Sequence, residues 1–310
     1  MKKGWKLAGA FALDLVLIGA LLLTYAYFHH VMPVVYDPSG YGTANIDPND
    51  LPDFSQSFPD KFFTDDTVVH TPTSYKSKNV NVTVSTVAKD NLCYYVADIY
   101  LRNVSFLKTA FAGGSFSRSV TQRVEDMADR LGAIVATNGD HYGFRDRGQV
   151  IRNGVVYRST KCYAVCALYL DGTLETYSAA EFDPQRAVAG GVYQTWDFGP
   201  ALLDDRGKAI EEFHSGIAGK NPRCAIGYYQ PGHYCLVLVD GRQEGYSMGM
   251  TLTELAQLFE DMGCRAAYNL DGGQSANMAW GGQLVNIPTR GGREVSDLIY
   301  ICDTLSKESQ

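Results

Sequence analysis

Histidine is scarce in this chain. There are six in 310 residues, and none stands in an HExxH or comparable spacing, so no helix-borne zinc site is written into the sequence. GxGxxG and P-loop runs are absent as well, which removes the general signatures of dinucleotide and ATP sites. A basic surplus is also missing. Lysine and arginine number 27 against 34 acidic residues, a formal charge of −7, and neutralising nucleic-acid phosphates needs the opposite balance. No internal repeat is visible. The seven cysteines are odd in number and irregularly spaced, which suits buried thiols better than a disulfide framework. On a strand, Cys162 and Cys166 would share a face about 13 Å apart, beyond disulfide reach.

What is present is a large core and many turns. Hydrophobic residues make up 45%, with 31 glycines and 20 tyrosines, a composition of strands and turns rather than of a helical bundle. Lys2, Lys3 and Lys6 precede an apolar run from Leu7 to Phe28 that ends on bulky residues, not on a small-residue cleavage site. The expectation is a single-pass cell-membrane protein. Residues 1–6 form a cytoplasmic stub, 7–28 an uncleaved transmembrane signal anchor in contact with the lipid bilayer, and the rest lies outside the cytoplasm. Residues 29–78, rich in Pro, Asp, Ser and Asn, read as a linker or lead-in. A domain at 79–304 and a tail at 305–310 complete the chain.

Within the domain, alternation predicts strands at 79–87, 91–101, 133–137, 149–157, 162–170, 192–196, 224–229, 234–239, 265–270 and 297–302. Lys89-Asp90 fits a hairpin turn. Three- and four-residue spacing predicts helices at 117–131 and 252–262, the second with a capping box from Thr251 and Glu254. The fold class is α+β: mixed, mostly antiparallel sheets with a few packed helices, preceded by the membrane helix.

Polar clusters repeatedly follow apolar strands, where a rigid sheet can aim side chains into one cleft. The first holds Asn138, Gly139, Asp140 and His141, either a hairpin turn or a site where Asp140 serves as acid or base. His141 fits a packing or turn role better than a ligand. Arg223 opens a buried strand and suits bidentate phosphate recognition, though a surface arginine would read the same. Asp240, Arg242 and Ser247 follow the next strand, again open between turn and site. Asn269, Asp271, Gly272, Gly273 and Ser275 could place a carboxylate beside an anion-binding nest of backbone N–H groups. Arg293 lies in a basic turn before the last strand.

Taken in order, AAYNLDGGQSANM, NGDHYGFRDRGQVIRNG, PRCAIG, VDGR and GGREVSDLIYI resemble the segments of the phosphodiester glycosidase family, over roughly residues 80–302. Gln274 stands where the family usually has a glycine, and Cys224 where threonine is common. The resemblance implies a hydrolase of the phosphodiester α-N-acetylglucosaminidase kind, cleaving a sugar-1-phosphodiester. Catalysis would fall to Asp140, Asp271 and Asp240. Substrate and phosphate binding would fall to Asn138, Gly139, Arg223, Arg242, Ser247, Asn269, Gly272, Gly273, Ser275 and Arg293. It implies a carbohydrate or sugar-phosphate partner from envelope or exopolysaccharide glycans, no nucleic acid and no cofactor. Two other readings stay open. One is a non-catalytic glycan-binding or exopolysaccharide-assembly module with platforms such as Trp196 and Trp280. The other is a metal-dependent phosphodiesterase using Ca²⁺ or Mg²⁺.

Overall fold

Alternating apolar residues give two antiparallel sheets that pack face to face, with a helix on each outer side. A computed structural model describes residues 2–27, 46–47 and 50–304. The larger sheet has the spatial order Val69–His70, Ser74–Lys76, Val80–Lys89, Leu92–Leu101, His233–Val239, Arg223–Gln230, Ala266–Asn269. The second runs Gln283–Leu284, Met278–Trp280, Val135–Asn138, Asp297–Ile301, Leu107–Phe111. A three-stranded sheet (Leu174–Ser178, Ala164–Tyr169, Val192–Trp196) and the hairpin of Gln149–Arg152 with Val155–Ser159 close one side.

The period of two decides which side chain goes to which layer. On the strand His233–Val239, Leu236 and Leu238 enter the central core with Ile99, Ile226, Ile299 and Ile301. Val237 and Val239 point the other way, onto Leu252, Leu255 and Phe259 of the helix Leu252–Asp261. The second sheet repeats the logic. Ile299 and Ile301 face inward, while Leu298 and Tyr300 cover Val124 and Met127 of the helix Val124–Arg130. Phe259 is fully buried, so Phe259→Ala would cost about 3–5 kcal/mol in lost transfer and cavity energy.

Several local expectations hold. The capping box is formed, with Thr251 Oγ1 accepting from the Glu254 N–H at 3.0 Å and the Thr251 N–H donating to Glu254 Oε2 at 2.8 Å. All seven cysteines are buried free thiols. Others need correction. The helix expected over 117–131 spans only Val124–Arg130, because Gln122 pairs its backbone with Val295 instead of turning helically. The strand expected at 149–157 is a hairpin folded at Asn153-Gly154. The 89–90 turn sits one residue later, at Asp90-Asn91, with Lys89 paired to Leu92. Part of the lead-in is folded onto the domain: Phe54 and Phe62 are buried, and 69–70 and 74–76 extend the larger sheet.

Lys2–Ala26 form one helix, and Leu13, Leu17 and Leu21 along it are exposed. Residue 28 of the expected membrane span lies outside the described residues, as does the tail 305–310. No helix among the described residues is long and apolar enough to cross a membrane.

Candidate active site

Strand ends from both sheets meet at one edge of the sandwich. Val135–Asn138 runs into Gly139-Asp140-His141, Ala266–Asn269 runs toward Asp271, and Arg223 opens its own strand. The sheets are stitched together here. Asn138 Nδ2 donates to the Asp271 carbonyl at 2.7 Å, and the Asp271 N–H to the Gly139 carbonyl at 3.3 Å. Glycine is required at two of these crossings. A Cβ on Gly139 would lie 2.6 Å from Asp297 Oδ1, and one on Gly272 would lie 2.5 Å from the Pro222 carbonyl oxygen.

Asp271 is the centre of the cluster. It is 9% exposed. Its Oδ2 lies 3.2 Å from His141 Nδ1 and accepts from Arg293 Nη2 at 2.9 Å, while Arg293 Nε donates to Ser275 Oγ at 2.6 Å. Burial pushes the carboxyl up, but His141, Ser275 and the Arg293 charge outweigh it and hold the group below its ordinary range. An acid held ionised is a poor proton donor at neutral pH. It is a good orienter of an imidazole: with Nδ1 against Asp271, proton exchange falls to Nε2. The His141 ring stacks on Phe144 with centroids 4.4 Å apart, which fixes its plane.

Beside this cluster is a cleft of about 230 Å³, lined by Arg223, Arg242, Arg293, Asn269 and Asp271 among others. Arg223 and Arg242 are held by neutral oxygens. Arg223 Nε donates to the Met250 carbonyl at 2.9 Å and its Nη2 to the Ile217 carbonyl at 2.7 Å. Arg242 reaches Asn221 Oδ1 through Nε at 3.1 Å and Nη2 at 2.7 Å. Burial and the like charge of Arg242 push Arg223 down to about 10, so it stays charged at neutral pH. Guanidiniums anchored this way keep their charge for an anion. Two N–H groups of the expected backbone nest are already used, that of Gly273 by the Pro222 carbonyl and that of Ser275 by the Gly272 carbonyl.

The other expected residues separate into two groups. Asp140 shares a narrow recess with His141, Asp271 and Ser275, but both its oxygens are engaged. Oδ1 pairs with Arg152 at 3.1 Å and accepts from the Tyr142 N–H, and Oδ2 accepts from the Asp197 N–H at 2.9 Å. Arg152 also pairs with Asp297 at 2.8 Å. Burial and the Asp140 charge push Asp197 up to about 6. Asp297 is raised by burial, with Arg152 acting against it. Asp240 and Ser247 do not line the cleft. Asp240 is sealed by Tyr246, Asn286 and the Ile287 N–H, and Ser247 Oγ donates to the Asp240 carbonyl at 2.6 Å. Gly245–Gly249 has the G-x-S-x-G spacing of a nucleophile elbow, yet Ser247 is fully buried. Trp196 and Trp280 are core residues, not platforms.

Sequence reasoning undervalued His141 and did not single out Arg152, Asp197 or Asp297. His141 adjoins Asp140, and Asp297 lies inside the family-like GGREVSDLIYI, so position alone offered a signal. Among the described residues, no group of three or more His, Cys, Asp or Glu is placed to hold a metal ion.

A family model described as phosphodiester glycosidase matches residues 131–302. The SPbeta prophage-derived uncharacterized protein YomE of Bacillus subtilis is 30% identical over 182 residues, covering 55% of this chain and 28% of that protein. The mouse N-acetylglucosamine-1-phosphodiester alpha-N-acetylglucosaminidase is 27% identical over 208 residues, covering 61% and 40%. The chain thus spans less than half the length of either relative. Among solved structures, the catalytic domain of the zebrafish N-acetylglucosamine-1-phosphodiester alpha-N-acetylglucosaminidase, auto-inhibited by its pro-peptide, superposes with a TM-score of 0.57 at 20% identity, covering 76% of this chain and 85% of that one. A hypothetical protein from Synechocystis gives 0.55 at 16% identity, covering 74% and 64%. At these identities the structures show a shared fold. The family match takes in more than half of the chain and every strand end that builds the cleft, and the chain therefore belongs to the phosphodiester glycosidase family.

Proposed function

We propose that this chain is a hydrolase that cleaves the bond between the anomeric carbon of a sugar and the phosphate oxygen of a sugar-1-phosphodiester. The observation that carries the reading is the juxtaposition of a carboxylate-oriented histidine with an arginine-lined cleft. The chemistry needs both. The leaving group is a phosphomonoester, whose second ionisation is near 6, so it requires little protonation and departs well when cations receive its charge. Arg223, Arg242 and Arg293 occupy that position. The attacking water does need to lose a proton, and His141 is placed to take it at Nε2 while Asp271 steadies the imidazolium.

Water oxygen bonds to the anomeric carbon through an oxocarbenium-like transition state. The C–O bond to phosphate breaks, and its electron pair leaves with the phosphate oxygen. The water proton resides on His141 until solvent removes it. The products are the free sugar and a phosphomonoester. The mouse relative's name specifies N-acetylglucosamine; we infer a related sugar here, drawn from envelope glycans. The N-terminal lysines and the exposed leucines of the helix Lys2–Ala26 support a further proposal, that the chain is anchored with its domain outside the cytoplasm.

Incubating the full chain with a panel of sugar-1-phosphodiesters, with and without a chelator, tests the activity by mass spectrometry. The expected result is free sugar plus phosphomonoester in both arms. No product from any member would reject the hydrolase reading, and product that disappears with chelator would restore the metal-dependent alternative. Protease added to intact cells tests placement: a fully protected domain would contradict the anchor.

A further inference from the structure

The arginine cleft has a larger neighbour. Phe198 and Ile217 line both the 230 Å³ cleft and an adjoining hollow of about 650 Å³. Phe144 joins that hollow to the recess that holds His141 and Asp271. The three spaces are therefore neighbours that share walls. Hydrolysis of a single diester uses only the smaller cleft and the recess, and leaves the larger hollow without a role.

The lining of that hollow has a definite chemistry. Tyr163 and Phe144 are each 53% exposed, an unusual cost in apolar surface for residues on a cleft wall. Tyr163 is flanked by two guanidiniums, while Phe144 has Arg293 of the first cleft 5.9 Å from its ring centroid. Arg147 lies over the Tyr163 ring at 4.6 Å and donates to its hydroxyl. Arg145 lies 5.1 Å from the Phe198 ring centroid and 5.8 Å from that of Tyr163, with Nη1 donating to the Asp197 carbonyl at 2.9 Å. Asp146 adds one carboxylate to the lining, so two guanidiniums stand against one acid. Aromatic faces hold both arginines and a backbone oxygen holds Arg145, with no direct ion pair to either among the described residues. A flat ring beside a guanidinium with no direct ion-pair partner suits a sugar whose hydroxyl carries a phosphate: the ring takes the sugar's apolar face and the arginine takes the charge.

We propose that this hollow is a second subsite, which binds a further phosphodiester-linked sugar unit, so that the substrate is a polyanionic sugar-phosphate chain rather than a lone diester. The proposal rests on the hydrolase reading for the position of the first unit. Tyr163 and Phe144 hold the second sugar, Arg147 and Arg145 its phosphate, and Phe198 and Ile217 form the saddle between units. A neutral glycan would leave both arginines unanswered, and a single diester would leave the larger of the two spaces empty.

Calorimetric binding separates this from the activity itself. The probes are oligomers of hexose-1-phosphate with one or three repeats, in which each anomeric oxygen is replaced by methylene so that nothing can be hydrolysed. A neutral oligosaccharide of the same length is the control. The full-length chain should bind three repeats at least about tenfold more tightly than one, and should bind the neutral chain far more weakly. Arg147→Gln and Tyr163→Ala, both at exposed positions and each checked by thermal unfolding, should erase most of that preference. Equal affinity for one and three repeats, a preference retained in both variants, or a neutral oligosaccharide that binds as well as the phosphorylated one would overturn the subsite. Tight, length-dependent binding by a protein that hydrolyses none of the oxygen-linked oligomers would instead remove the hydrolase reading and leave the subsite standing.

Discussion

Two groups of carboxylates sit within one edge of this sandwich, and they are built for opposite purposes. Asp271 faces a cleft, is partnered by His141 and Arg293, and is held ionised. Asp140 and Asp297 are sealed around Arg152, with Asp197 beside them, and Asp197 and Asp297 are pushed toward their neutral forms. Residue type does not distinguish the groups. Access does: an ionised carboxylate with a histidine and a cleft can support chemistry, while a buried cluster paired around Arg152 holds strand ends in place.

The sharpest break between the groups is kinetic. Asp271→Asn and His141→Gln should each lower kcat by about 10²- to 10⁴-fold in a protein that remains folded. Turnover within a few-fold of wild type in a folded Asp271→Asn protein would erase the distinction. The sealed group should show the reverse. Arg152→Met leaves two buried carboxylates without their cation and should cost about 3–5 kcal/mol, lowering the melting temperature on the order of 10 °C. An unchanged melting curve would mean that the pairing is not structural. Ser247→Ala extends the comparison to a further carboxylate, Asp240. Ser247 Oγ bridges the Asp240 carbonyl and the Cys93 N–H, so its loss should cost about 1–3 kcal/mol while turnover by the remaining folded protein stays near normal.

The smallest effect is on pH dependence. Asp197 titrates in the fold at about 6, above its unfolded value near 3.9, so its contribution to stability is fully present below about 4 and is lost as pH rises through 6. Asp271, lowered in the fold, contributes above its unfolded value and loses that contribution as pH falls through its folded one. Asp197→Asn should therefore flatten the decline in stability between pH 4 and 7, and Asp271→Asn should flatten the fall at the acid end. Identical stability profiles for the two variants would contradict the assignment.

Much of this was legible in the sequence because it depends on short-range pattern. Strand alternation marked most of both sheets, and the Thr251-to-Glu254 spacing marked the long helix. The glycine-rich strand ends marked where Asn138, Arg223 and Asp271 would converge. What escaped depends on distant partners. Nothing local distinguishes Asp140 from Asp271: each follows an apolar strand within a glycine turn, and only Arg152, a residue inside a hairpin, decides that Asp140 is sealed. Ser247 reads as a substrate-binding candidate after a strand and is a buried strut by packing. His141 reads as a turn residue until Asp271, 130 positions away, meets its ring. Leu107–Phe111 and Met278–Trp280, two of the strands not read from the sequence, are short and pair with central neighbours.

The central claim is that water attacks the sugar rather than the phosphorus, with the arginines receiving a phosphomonoester as it leaves. Turnover of a sugar-1-phosphodiester in ¹⁸O-labelled water tests this directly. Mass spectrometry of both products should find the label in the anomeric hydroxyl of the released sugar and none in the phosphomonoester. Label in the phosphate would mean cleavage at the P–O bond, and would contradict the roles assigned to His141, Asp271 and the arginine cleft.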